Sequence, residues 1–290
     1  MLKHRLLAGS VMAAAMAAVL VLDTRLAPAY PCLLACALVV GVIAAHELLG
    51  LLPAAVRPTA LVCVPGVAAI LATNWVAPVR MALGYSVDGL LPSPGGFAFV
   101  IAVAALFARE LWRYGRDDGA AARVAAGVFV LAYLGYLPGL LVRVRWLGAD
   151  PAAGAGLLAL TIFTPKVGDI GAYTVGKLAG RTPFAPRLSP KKTWEGFVGG
   201  LAASVAVAAG YQAVAPVFRH GLPEAVAFGV VLGLAGVFGD LAESLLKRDA
   251  GTKDAAGRVP GFGGVLDVID SVLFAGPIAL AWFHFLPPAG

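Results

Sequence analysis

Charge is scarce in this chain. Only 13% of its 290 residues are Asp, Glu, Lys or Arg, about half the share of an ordinary soluble domain. Hydrophobic residues make up 60%, and the mean hydropathy is +0.87. One water-facing domain cannot hide that much apolar surface, so a soluble enzyme and a disordered tail are both disfavoured; a bilayer is the natural solvent for the excess. Cysteine is almost absent. Cys32, Cys36 and Cys63 sit in apolar runs and read as packing residues, which removes a disulfide-stapled secreted domain from consideration. The four histidines, His4, His46, His220 and His284, form no Ser/His/Asp or Cys/His set. The G-x-x-x-x-G-K-[ST] phosphate loop is missing, as are internal repeats and low-complexity tracts.

What is present is a series of apolar runs. Length and polar punctuation give nine candidate spans at 7–22, 31–49, 59–76, 97–112, 124–142, 155–178, 197–217, 225–246 and 265–286. The first follows Lys3 and Arg5, so a cleaved signal peptide is its rival reading; a retained helix is preferred, since Ala27-Pro28-Ala29 is a weak cleavage site. The expected fold is an all-α polytopic membrane protein of about nine transmembrane helices with a cytoplasmic N-terminus. That orientation places sixteen Lys and Arg on inner segments and five on outer ones, with Lys166 alone inside a span. The net charge of +6 is then a positive-inside bias, and no nucleic-acid partner is expected.

The character of the chain shifts near Asp150. Before it, span interiors carry almost no charge, and residues 1–150 read as scaffold and lipid-facing wall. After it, Asp169, Asp240, Glu243, Asp267 and Asp270 lie in or beside apolar helices. A carboxylate at membrane depth costs at least about 2.5 kcal/mol on insertion scales, so five of them need cations, metal or a wet cavity. The chemistry is therefore expected in 151–290, with cytoplasmic loops at 180–196 and 247–262.

Four constellations stand out there. Lys166, Asp169 and Tyr173 share one helical face at i, i+3 and i+7. Ser189-Pro190-Lys191-Lys192-Thr193-Trp194-Glu195-Gly196 puts two lysines between hydroxyls just before a helix start, which suits a polyphosphate. Asp240, Glu243, Ser244 and Lys247 form a polar stripe that runs into Arg248. Lys253-Asp254 precedes Pro260-Gly261-Phe262-Gly263-Gly264, after which Asp267 and Asp270 share a face. Carboxylates hold Mg²⁺ as hard oxygen ligands, and Mg²⁺ shares its shell with substrate phosphates. Carboxylates within a collar of Lys and Arg are equipment for phosphoryl or nucleotidyl transfer.

The run Ser244-x-x-Lys247-Arg248-x₄-Lys253-Asp254 … Pro260-x-x-Gly263-Gly264-x-x-Asp267-x-x-Asp270 closely resembles the C-terminal signature of phosphatidate cytidylyltransferases, the CDP-diacylglycerol synthases. Ser189 to Gly196 resembles that family's other hallmark, and Asp169 with Ala172-Tyr173 its D-x-x-A-Y element. Phe262 stands where the family usually has His, and Val268 where it usually has Arg. The resemblance implies a nucleotidyltransferase in the cytoplasmic (inner) membrane that joins CTP to phosphatidate, giving CDP-diacylglycerol and pyrophosphate. It implies Asp240, Asp267 and Asp270 as Mg²⁺ ligands, with a second cation left open, and Asp240, Asp267, Asp270 and Lys247 as the catalytic set. Substrate contacts would come from Ser189, Lys191, Lys192, Thr193, Ser244, Arg248, Lys253, Asp254, Lys166, Asp169 and Tyr173. A homodimer is compatible with such a chain. An ion- or proton-coupled transporter and a polyprenol kinase remain alternatives, distinguishable by their products.

Overall fold

A computed structural model describes residues 2–86, 93–115, 119–252 and 263–289. The fold is all-α and polytopic. Its helices are α1 (Leu2–Asp23), α2 (Pro31–Leu51), α3 (Ala60–Ala72), α4 (Val76–Ala82), α5 (Pro94–Arg113), α6 (Ala120–Leu131), α7 (Leu137–Arg143), α8 (Pro151–Ala179), α9 (Trp194–Val214), α10 (Leu222–Asp249) and α11 (Leu266–Phe285). Between α8 and α9 lies a two-stranded antiparallel hairpin, β1 (Pro183–Ala185) and β2 (Ser189–Thr193), the single sheet among the described residues. Each of the nine apolar runs falls on helix. Seven stretches among the described residues are long and apolar enough to cross a membrane, including Ala60–Ala82 and Ala120–Trp146, each of which joins two helices through a short 3-10 or π turn. Neither α1 nor α8 is among the seven; α8 carries Lys166, Asp169 and Lys177.

The chain divides into two compact units, Met1–Val142 with Asp254–Leu266, and Arg143–Lys253 with Asp267–Gly290. In the first, α2, α3, α5 and α6 pack on a dry core of Leu48, Val67, Ile70, Leu71, Val130 and Leu131. Small residues set the spacing: a Cβ on Gly41 of α2 would stand 2.5 Å from Leu71 Cδ1 of α3. Close approach of this kind drives helix association in lipid, where apolar burial supplies little. Large apolar side chains such as Leu61 and Leu111 instead face outward. Asp23 holds the start of α2, its carboxylate accepting from the Cys32 and Leu33 N–H groups at 3.0 and 2.6 Å. Glu110 of α5 pairs with Arg123 of α6 at 2.7 Å.

In the second unit, α8 and α9 share a glycine seam. A Cβ on Gly171 would meet Ala203 Cβ at 2.6 Å, and one on Gly200 would meet Gly168 O at 3.0 Å. Ser204 Oγ of α9 donates to the Thr164 carbonyl of α8 at 3.1 Å, in full burial. Both helices start under caps. The Asp150 carboxylate accepts from the Ala152 and Ala153 N–H groups, and Thr193 Oγ1 accepts from Gly196 N–H. Gly236 lets α10 approach Pro165 of α8, and Gly239 lets it approach the Asp270 carbonyl of α11. Those two glycines bring Asp240 and Glu243 alongside the acids of α8 and α11.

Candidate active site

Five acids and three lysines of the second unit converge at one end of its helices. That end holds the C-terminal part of α8, the hairpin, the start of α9, the end of α10 and the start of α11. Asp169 lies ten residues before the end of α8, about 15 Å along the helix axis, so the group reaches well below the hairpin.

Three lysines hold five carboxylates. Lys166 Nζ lies 3.1 Å from Asp270 and 3.5 Å from Asp169. Lys192 of β2 lies 2.6 Å from Asp240 of α10. Lys247 is ion-paired with Glu243, one turn back on its own helix, and with Asp267 of α11 at 2.6 Å. Ser271 Oγ donates to Asp169 at 2.9 Å, and the Ser271 N–H donates to the Asp270 carboxylate. With every group ionised the cluster keeps two formal negative charges, the charge of one divalent cation. The side chain of Glu243 has no solvent exposure, whereas those of Asp240 and Asp169 are about one third exposed (32% and 37%). The cluster thus has a dry floor and an open mouth.

A metal can be tested against this donor set. Carboxylate oxygens of Asp240, Glu243 and Asp270 lie within 4.8 Å of one another. That is the spread of oxygens about 2.0–2.6 Å from one shared ion. Glu243 Oε1 is buried without a hydrogen-bond partner, and such an oxygen is costly to leave unpaired. The three carboxylates therefore suit a hard divalent cation.

The remaining expected residues take varied places. Asp267, expected beside Asp240 as a ligand, is held by Lys247, and Glu243 is the acid that stands with Asp240 and Asp270. Lys191 is exposed and makes no ion pair among the described residues, while its neighbour Lys192 turns to Asp240, as side chains alternate along a strand. Thr193 caps α9. Arg248 donates to the Leu188 carbonyl at 3.1 Å, tying α10 to the hairpin turn. Ser189 is half-buried and Ser244 buried. Tyr173 is exposed, with the Lys177 ammonium 5.9 Å from its ring centroid. Lys253, Asp254 and Phe262 lie outside the described residues; Val268 is half-buried on α11. The sequence reading placed Glu243 on the polar stripe without making it a ligand. It also left Ser271 without a role, since its partner Asp169 is 102 positions away.

The chain is 36% identical over 205 residues to phosphatidate cytidylyltransferase 4, chloroplastic, of Arabidopsis thaliana, covering 64% of this chain and 50% of that protein. It is 37% identical over 158 residues to the phosphatidate cytidylyltransferase of Pseudomonas aeruginosa, covering 54% of this chain and 56% of the relative. With that of Mycobacterium leprae it shares 37% identity over 139 residues, 47% of this chain and 43% of the relative. The chain spans about half the length of the curated relatives it matches. The profile of the Cytidylyltransferase family matches residues 3–286, nearly end to end, and the chain belongs to that family.

Proposed function

We propose that this protein transfers a cytidylyl group from CTP to phosphatidate, giving CDP-diacylglycerol and pyrophosphate. The observation that carries the reading is the cluster itself: five carboxylates and three lysines from α8, β2, α10 and α11, short by two positive charges. The names of the relatives agree with it. A phosphatidate oxygen attacks the α-phosphorus of CTP in line, the new O–P bond forms, and the bond from the α-phosphorus to the β-phosphate bridging oxygen breaks. The attacking oxygen is already anionic, so no protein nucleophile is required, and positioning with charge neutralisation carries the catalysis.

Asp240, Glu243 and Asp270 would hold Mg²⁺, which neutralises phosphate charge and polarises the phosphorus. Lys192 sits at the mouth on a strand and is placed to take up triphosphate oxygens, with Lys191 beside it. Asp267 and Glu243 fix Lys247 on the floor, and Ser271 and Lys166 orient Asp169. The acyl chains stay in lipid while the head group reaches the polar end of the helices. The membrane is the inner cell membrane, with the hairpin in the cytoplasm where CTP is found.

The test is a product assay with purified protein, CTP, phosphatidate and Mg²⁺ in detergent micelles. CDP-diacylglycerol and pyrophosphate in equal amounts are expected; CDP with a newly phosphorylated lipid would overturn the reading in favour of a kinase. For orientation, a cysteine placed at Ser189 should resist an impermeant thiol reagent in intact cells. Ready labelling from outside would refute the cytoplasmic placement.

A further inference from the structure

The hairpin carries a second set of residues that the acid cluster does not use. Phe184 of β1 meets Trp194 edge-on with ring centroids 4.7 Å apart and stacks on Phe197 at 5.1 Å; Trp194 and Phe197 are 5.6 Å apart. This three-ring unit is not sealed inside the protein, for Trp194 is 49% exposed. Leu178 near the end of α8 and Val198, four residues after Trp194 on α9, are exposed apolar side chains as well.

Two arginines bracket Phe184 in the sequence, Arg181 three residues before it and Arg187 three after it. Arg181 is held next to Trp194 by its backbone: its N–H donates to Glu195, and the next residue, Thr182, accepts from the Trp194 N–H at 2.9 Å. Arg187 lies in the turn between the paired residues Ala185 and Ser189. Both are exposed, and neither side chain makes a hydrogen bond or ion pair among the described residues. They differ in this from Arg248, which binds the Leu188 and Thr252 carbonyls, and from Lys192, which binds Asp240.

An amphipathic ring cluster with free guanidinium groups at the end of membrane helices has a specific chemical complement. Trp sits well at the headgroup level of a bilayer, and basic side chains beside it attract acidic headgroups within a Debye length. A soluble partner would have to reach a surface at the start of α9, a helix long and apolar enough to cross a membrane. We propose that the hairpin rests on the phospholipid leaflet, with Phe184, Trp194 and Phe197 in the interface and Arg181 and Arg187 gathering anionic headgroups around it. This does not rest on the cytidylyl-transfer reading, because it concerns any anionic lipid and uses none of the cluster.

The experiment uses full-length protein in phosphatidylcholine nanodiscs doped with an equal, small fraction of either brominated phosphatidylglycerol or brominated phosphatidylcholine. The Trp194 signal is the difference between wild type and Trp194→Phe. Brominated phosphatidylglycerol should quench it at least about twofold more than brominated phosphatidylcholine. An Arg181→Gln/Arg187→Gln double variant should bring that ratio to about one, and Arg181→Lys/Arg187→Lys should restore it. Absence of Trp194 quenching by either lipid would overturn the proposal, as would equal quenching in wild type or a ratio that survives in the Gln variant. No turnover is measured, so the outcome is independent of whether the cluster makes CDP-diacylglycerol.

Discussion

Glu110 in the first unit and Glu243 in the second are both buried acids that meet a base, yet their surroundings differ. Glu110 is held by Arg123, which donates through Nε and a terminal nitrogen to one carboxylate oxygen. Glu243 shares Lys247 with Asp267 and keeps a buried oxygen without a hydrogen-bond partner. The surplus of acid extends to the whole cluster, which sets five acids against three bases. A structural ion pair needs to cancel its own charge, because whatever remains uncancelled in a dry environment is costly. A site for a divalent cation has to leave a remainder. The deficit of two charges is therefore the part of the structure most informative about function.

The comparison would be broken most severely by removing one of the three clustered carboxylates. Glu243→Gln and Asp270→Asn should each lower kcat/KM by on the order of 100-fold or more while the protein stays folded and inserted. Chelation of divalent ions should abolish turnover of wild type, and added Mg²⁺ should restore it. Near-normal turnover of Glu243→Gln would remove that residue from the metal set and return attention to Asp267.

A smaller effect is expected at the mouth. Lys192→Ala should reduce kcat/KM for CTP about 10- to 150-fold, the value of one charged phosphate contact of roughly 1.5–3 kcal/mol. Lys191→Ala, on the exposed side of the same strand, should cost less, about threefold or under. Measured at saturating phosphatidate, equal losses at the two positions would mean that the strand turns during binding and that both lysines reach the nucleotide.

The smallest effect on activity should come from the Glu110–Arg123 pair. Glu110→Gln removes the carboxylate charge from a partly buried Arg123, which should lower stability by about 2 kcal/mol and depress Tm, with kcat and KM for CTP near wild type. A large loss of kcat in a protein of unchanged Tm would show that the first unit does more than support.

The helical runs were readable because lipid imposes a length and an apolar composition on every span. The helix opening at Trp194 was readable too, since Thr193 and Glu195 are residues that caps and first turns favour. The hairpin was not. Ser-Pro-Lys-Lys-Thr has little strand propensity. The strand forms because Glu195 accepts from the Arg181 and Thr182 N–H groups and from Thr182 Oγ1, closing the ends of the loop on each other. The polar stripe on α10 was visible as a spacing, but spacing shows only which residues share a helix face. Which acid meets which lysine depends on contacts between elements far apart in the chain, such as Lys166 with Asp270 and Lys192 with Asp240. The preference for Glu243 over Asp267 beside Asp240 is likewise a tertiary result, set by Gly239, which admits the Asp270 backbone next to α10.

The bond between Lys192 and Asp240 has a further consequence for how a metal–nucleotide complex would enter. Such a complex carries both signs of charge, as does the ion pair it meets. Entry would then be an exchange of partners, a salt metathesis in which Asp240 would take the cation and Lys192 the phosphates. Each group trades one counter-ion for another and neither is left bare at any stage. Admission and release would then avoid the solvation barrier that a lone ion faces, and the side chain of Lys192, 24% exposed on a short strand, is where such a trade would begin.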